Sequence, residues 1–240
     1  AESRGQLAEE LARANAELAR ANHELEAFSY SVSHDLRAPL RSISAFTQAL
    51  VEELGDRATE RERDHLRRVL AASARMADLI DALLELSRIS RAPIGRHRVD
   101  LSAIATAVSA ELAHREPERA VETRIAPNLV VAADGRLMRI LVDNLLGSAW
   151  KFTARQPAAR IELGTEGDAF FVRDNGIGFD MAQAERLFTP FHRLHSDGGL
   201  ADTGIGLATA RRIVERHGGR IWAEGAVGSG TKISFTIPGA

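Results

Sequence analysis

Leu7, Leu11, Ala14, Leu18, Ala21, Leu25, Phe28 and Val32 follow one another at alternating spacings of four and three, with Glu, Arg and Asn between them. A 3.5-residue apolar period held this long predicts a coiled-coil strand that pairs in parallel with a second copy. The same spacing also fits one amphipathic helix lying on its own domain. The helical pattern runs on past Pro39, which should bend it locally. It stops in "EELGDRAT", where Gly55 and Asp56 mark a turn. A second helix is predicted from Glu60 to Ser90. Leu66, Val69, Ser73, Met76, Ile80, Leu83 and Ser87 repeat at three and four, and Leu70, Ala77 and Leu84 widen the stripe. Two long antiparallel helices cannot bury two broad stripes alone, whereas two copies of the hairpin form a four-helix bundle.

The pattern changes after "RAPIGRHR", whose Pro93 and Gly95 read as a linker over 93–98 between a first domain, 1–92, and a second, 99–240. Beyond it, a helix is predicted over 101–115, strands near 121–126 and 129–132, and a helix over 135–152 with Asp134 as its N-cap. "ARIELGTEGDAFFVRDNG" reads as strand, turn and strand. A short helix near 181–187 leads into the polar loop "HRLHSDGGLADTG". A helix over 205–217 and a closing hairpin, "GRIWAEGAVGSGTKISFTIP", complete the chain. Helices beside runs of antiparallel strands imply a two-layer α/β sandwich, so the whole chain reads as α+β.

Composition narrows the function. With 240 residues, 45% of them hydrophobic, the chain can build a proper core. A net charge of -2 gives no reason to expect a nucleic-acid or membrane-surface partner. The absence of cysteine excludes disulfides, thiolate metal sites and cysteine nucleophiles, and fits a cytoplasmic setting. No apolar run reaches the roughly 18 residues a membrane span needs. The opening "AESRGQLAEE" lacks a signal-peptide pattern and reads as a cut within a longer helix.

Four stretches carry candidate chemistry. In "SVSHDLRAPL", His34 is followed directly by Asp35 on the first helix. An acid there can polarise one imidazole nitrogen and leave the other as a nucleophile; the plainer reading is a surface histidine. In "LVDNLLGSAWKFT", Asn144, Ser148 and Lys151 stand at i, i+4 and i+7, so they share one helix face. Gly147 and Ser148 are poor helix formers at its centre. In "RDNGIGFD", Asp174 ends an apolar strand, and Gly176 and Gly178 let the backbone approach a flat ligand. "TGIGLA" places Gly204 and Gly206 at a helix N-terminus, which attracts phosphate. No βαβ unit surrounds it, so it is not a dinucleotide fingerprint. Together these features suggest a nucleotide pocket with a lid.

These motifs, in this order, resemble the catalytic region of bacterial sensor histidine kinases. "SHDLRAPL" is similar to that family's phosphoacceptor box and "NLLGSAWKFT" to its N box. "DNGIGF" and "GIGLA" resemble its glycine boxes, "LFTPFHRLH" its F box, and "GSGT" at 228–231 its last glycine box. The wording "FSYSVSHDLRAPLRSI" is nearest to kinases that follow soluble light or redox sensors, phytochrome-type ones included. The resemblance implies a second domain of the gyrase, heat-shock chaperone and histidine kinase ATP-binding type. It implies ATP and Mg²⁺ as cofactors, a homodimer, an upstream sensor domain outside this chain, and a response-regulator receiver domain as partner.

The resemblance also implies roles. His34 is the phosphoacceptor and Asp35 its base or orienting partner. Asn144 holds Mg²⁺, and Lys151 offsets phosphate charge. Asp174 accepts from the adenine amino group, with Thr231 nearby. Gly176, Gly178, Thr203, Gly204, Gly206 and Leu207 shape the pocket and its lid. Phe188 and Phe191 anchor the lid, and Arg193 reaches the phosphates. Three positions depart from the family pattern. Ser148 stands where a second metal-binding asparagine is usual, Asp202 where a lid glycine is usual, and Ala38 where dephosphorylating members carry threonine or asparagine. The first two leave a second reading open, a nucleotide-binding dimerisation module that signals by conformation. A gyrase-like or mismatch-repair-like ATPase is disfavoured by the helical hairpin carrying "SHDLRAPL".

Overall fold

A computed structural model of the chain describes residues 13, 17, 20, 31, 35–91, 94–192 and 204–239. The expected coiled-coil seam over residues 7–32, and His34 itself, lie outside the described residues. The chain divides into two compact units, Ala1–Ser87 and Arg88–Ala240.

The first unit is a helical hairpin. Helix α1 covers residues 35–54 and continues through Pro39. A 3₁₀ turn, Gly55–Arg57, and Ala58 in extended backbone reverse the chain into α2, Glu60–Arg91. Gly55 adopts a φ of +47°, the left-handed region that glycine reaches without strain. The start of α2 is a reciprocal cap: Glu62 accepts from the Thr59 amide at 2.7 Å, and the Glu62 amide donates to Thr59 Oγ1 at 3.3 Å. Between the helices, Leu40, Ile80 and Leu84 form a small buried cluster, and Arg37 Nε donates to Asp81 at 3.0 Å. Much apolar surface stays uncovered: Leu36, Ile43, Phe46, Leu50, Val69 and Met76 are exposed, Phe46 by 74%.

The second unit is a two-layer sandwich. Its five-stranded sheet has the order β2 (Val121–Ile125), β4 (Ala159–Glu166), β5 (Ala169–Asp174), β7 (Gly230–Phe235), β6 (Ile221–Ala226). Helices α3 (Leu101–Arg115), α4 (Gly135–Phe152) and α5 (Gly206–Arg216) cover one face. Ile161, Leu163, Phe170, Val172, Ile233 and Phe235 point into the same core as Leu137, Leu141, Leu145 and Ile213. Alternate residues along β5 take opposite faces, as the two-residue side-chain period requires. Three strand pairs are antiparallel, but β2 runs parallel to β4, with Val121 opposite Ala159.

Two local readings change. His97 and Arg98, read as linker, belong to a strand β1 (His97–Asp100) that pairs with β3 (Val130–Ala133), His97 opposite Ala133. Only Val99 in "HRVD" is apolar, so no alternation marked it. The short helix near 181–187 is a 3₁₀ segment, Met181–Phe188, whose first turn is capped by Asp180 accepting from the Ala182 amide at 3.0 Å.

Candidate functional site

Helix α4 is the floor of the site. Asp134 caps it by accepting from the amides of Arg136 and Leu137, at 3.0 and 3.1 Å. Leu137, Met138, Leu141, Val142, Leu145, Leu146, Ala149 and Trp150 are buried. Asn144, Ser148 and Lys151 form a half-buried polar stripe beside that apolar face. The Asn144 amide donates to the Ile140 carbonyl at 2.8 Å, which fixes its orientation and leaves Oδ1 as the oxygen facing outward. That oxygen lies 2.7 Å from where a Cβ on Gly206 would stand. The first turn of α5 therefore passes directly over Asn144 because residue 206 has no side chain. No side chain caps α5, so its first amides face this space. Leu207 is half-buried against the core.

Asp174 stands at the other end of the stripe, where β5 ends. The chain then turns sharply, and each tight approach is made by a glycine. A Cβ on Gly176 would lie 2.5 Å from the Phe152 carbonyl, the last residue of α4. One on Gly178, at φ +63°, would lie 1.8 Å from the Ala226 carbonyl. One on Gly230, at φ +89°, would lie 2.0 Å from the carbonyl of Asp174 itself. No real Cβ tolerates such distances, so this corner is built on bare backbone. The Ile177 amide donates to Phe152 at 3.2 Å, and the Gly228 amide to Ile177 at 2.7 Å. These bonds tie the turn to α4 on one side and to the β6–β7 hairpin on the other.

The electrostatics single out Asp174. Burial pushes its carboxyl up to about 6, although the amides of Gly176 and Thr231 stabilise the charged form and pull the other way. Gly176 donates to Asp174 Oδ1 at 2.7 Å. Thr231 sits directly opposite Asp174 in the β5–β7 ladder. A half-buried carboxylate beside bare backbone suits a ligand that presents an N–H edge. From Asn144 to Phe152 the helix rises about 12 Å, so the carboxylate corner and the α5 N-terminus bracket an elongated ligand.

The remaining candidates fall in several places. Lys151 Nζ lies 4.8 Å from the centre of the Phe152 ring. Gly204, at φ +66°, comes within 2.9 Å of the His192 carbonyl by the same test, and its own carbonyl accepts from the Phe191 amide at 3.0 Å. The two ends flanking residues 193–203 thus meet at one point. Phe188 is buried in the core. Phe191 has a side chain that is 55% exposed and a φ of +63°. Its backbone, not its ring, makes the connection. Asp35 is exposed on α1. His34, Arg193, Asp202 and Thr203 lie outside the described residues. Sequence reading missed the Gly230 contact with the Asp174 backbone and the role of Asn175, whose side chain bonds back to β4.

Comparison with known proteins accounts for the hairpin and the sandwich together. The profile of the His Kinase A (phospho-acceptor) domain matches residues 24–92. That of the histidine kinase-, DNA gyrase B-, and HSP90-like ATPase matches residues 133–240. The chain belongs to the sensor histidine kinases. Cyanobacterial phytochrome B of a Nostoc species is 38% identical over 97% of this histidine kinase chain and 32% of its own length. Phytochrome-like protein Cph1 of a Synechocystis species is 32% identical over 99% of this chain and 31% of its own. The chain thus spans about a third of the length of these curated relatives. Among solved structures, full-length ShkA in complex with AMPPNP shares the fold with a TM-score of 0.64 at 24% identity, over 88% of this chain and 45% of that one. Among the described residues, no helix is long and apolar enough to cross a membrane.

Proposed function

We propose that the chain is the catalytic core of an ATP-dependent protein-histidine kinase, divided into a dimerisation and phosphoacceptor domain over 1–92, a linker over 93–98 and an ATP-binding domain over 99–240. The observation that carries this reading is the bracketed site. Asp174 waits in a backbone-lined corner at one end of the α4 stripe, and Asn144 lies under the open N-terminus of α5 at the other. Adenine fits the first end, donating its amino hydrogen to Asp174. The triphosphate fits the second, where the first-turn amides of α5 favour negative charge.

The residues present suit a magnesium ion at the phosphate end. Asn144 offers one hard oxygen with its amide already oriented, and Mg²⁺ takes such a ligand while keeping phosphate oxygens and waters for the rest of its shell. Bound there, the ion would neutralise phosphate charge as it develops in the transition state. The protein's own residues do the positioning: Gly206 keeps α5 close to Asn144, and the ladder partner Thr231 holds Asp174 in place. His34 attacks the γ-phosphorus in line through an imidazole nitrogen. The bond to the β,γ-bridging oxygen breaks, ADP leaves, and Asp35 takes or orients the imidazole proton. The phosphoryl group then passes to an aspartate carboxylate of a response-regulator receiver domain. The exposed apolar faces of the hairpin support a homodimer as the working form.

A second reading rests on Ser148. It lies one turn from Asn144 on the same half-buried stripe, and its hydroxyl is shorter and a weaker oxygen donor than an amide. On that reading the chain binds nucleotide and signals by conformation. Incubation with γ-labelled ATP and Mg²⁺, followed by a receiver domain, separates the two. The kinase reading expects an acid-labile, base-stable label that the receiver removes; nucleotide binding without label under any condition supports the module.

A further inference from the structure

Asn175 is the residue between Asp174 and the glycine turn, and its side chain does what a strand normally does with its backbone. The β4–β5 ladder runs in register to the pair Ile161 and Asp174. The next pair in sequence is Arg160 and Asn175. The Asn175 amide still donates to the Arg160 carbonyl, at 3.3 Å. The return bond comes from the side chain instead: the Arg160 amide donates to Asn175 Oδ1 at 2.8 Å. Asn175 Nδ2 then donates to the Ala158 carbonyl at 2.8 Å. Only this orientation of the amide group satisfies both neighbours, since one offers a hydrogen and the other a lone pair.

The consequence is geometric. The side chain extends the ladder by one step after the main chain has left it, so the Asn175 carbonyl is released and the backbone can turn at once into Gly176. Gly176 must turn there, because its Cα packs under the Phe152 carbonyl and its amide donates to Asp174 Oδ1. We infer that Asn175 is a positioning residue for base recognition: its three bonds, two to Arg160 of β4 and one to Ala158 just before it, set where β5 ends, and so aim the Asp174 carboxylate at the nucleobase. The inference rests on the reading of Asp174 as the adenine acceptor. Aspartate at 175 keeps the acceptor for Arg160 but sets a carboxylate oxygen against the Ala158 carbonyl. Alanine loses both bonds.

The test compares binding of ATP and of purine riboside triphosphate, which has hydrogen in place of the 6-amino group, to the full chain by calorimetry. The wild type should prefer ATP. In Asn175→Ala the ATP affinity should fall by about tenfold, the scale of one or two lost hydrogen bonds, while affinity for the deamino nucleotide stays within about twofold. Asn175→Asp should keep part of the preference. A defect of general folding would weaken both nucleotides alike, and thermal melts of each variant register it. If Asn175→Ala does not fold, Asn175→Asp decides. An unchanged preference in the folded variants overturns the positioning role and leaves the Asp174 reading intact. No preference in the wild type overturns the Asp174 reading first, and this inference with it.

Discussion

Asn144 Oδ1 lies 2.7 Å from the point where a Cβ of Gly206 would stand. The polar stripe of α4 and the first turn of α5 are therefore in contact only because residue 206 is glycine. Alanine at 206 suits a helix better than glycine by about 1 kcal/mol, yet here it must displace the Asn144 side chain or lift α5. Gly206→Ala is expected to leave the unfolding midpoint nearly unchanged while lowering Mg²⁺–ATP affinity by about tenfold or more. Calorimetric binding and a thermal melt on the same sample check both halves.

Asp174 makes a pH-dependent contribution of defined sign. Its folded-state value of about 6 lies above its ordinary value of 3.8. Below pH 4 the folded and unfolded chains both hold the proton. As the pH rises towards 6 the unfolded chain releases it first, so this group's contribution to stability falls and levels off above about 6. The difference corresponds to about 3 kcal/mol at neutral pH. The carboxylates of Glu62, Glu111, Asp134 and Glu166 are all held below their usual range and act in the opposite direction. The comparison is therefore wild type against Asp174→Asn. The variant should be more stable at pH 7, equally stable near pH 4, and poor at binding ATP throughout. Wild-type ATP affinity should rise through pH 6 as the carboxylate ionises. Thermal melts between pH 4 and 8, and binding between pH 5 and 8, test this.

Ser148→Asn restores an amide one turn from Asn144. If the serine limits the metal, a time course of labelling from γ-labelled ATP should speed up by about tenfold or more, because a direct metal ligand in phosphoryl transfer is worth several kcal/mol. Equal rates would show that the stripe works with a hydroxyl at this place.

Phe46 is 74% exposed on α1, so it contributes little to the hairpin's own core. Phe46→Glu is expected to leave helicity by circular dichroism intact and to shift the chain from dimer to monomer in sedimentation equilibrium. A variant still dimeric at micromolar concentration would move the interface elsewhere.

Some of this was legible in the sequence and some was not, for physical reasons. The helix carrying Asn144 announced itself through the Asp134 cap, a wide apolar face and a narrow polar one, all local signals. Asp174 was visible as an acid at the end of "AFFV", followed by two glycines. What those glycines touch was not: Gly178 abuts Ala226 and Gly230 abuts Asp174, contacts that exist only once distant strands pair. The parallel pairing of Val121 with Ala159 leaves no trace in either strand's alternation. Strand β1 was missed because "HRVD" offers one apolar residue and is held by backbone bonds to β3. The φ of +63° at Phe191 had no local signal either, because only the meeting of its amide with the Gly204 carbonyl reveals that turn.

Phosphorylation of His34 is read most directly from the covalent label itself. Wild-type chain, His34→Gln and Asp174→Asn are incubated with γ-labelled ATP and Mg²⁺, and the acid-labile, base-stable label on each is counted. Label is expected on the wild type, none on His34→Gln, and a strong loss on Asp174→Asn that higher ATP concentration partly restores. Label of equal amount on His34→Gln, or none on the wild type while it binds ATP tightly, would contradict phosphorylation of His34.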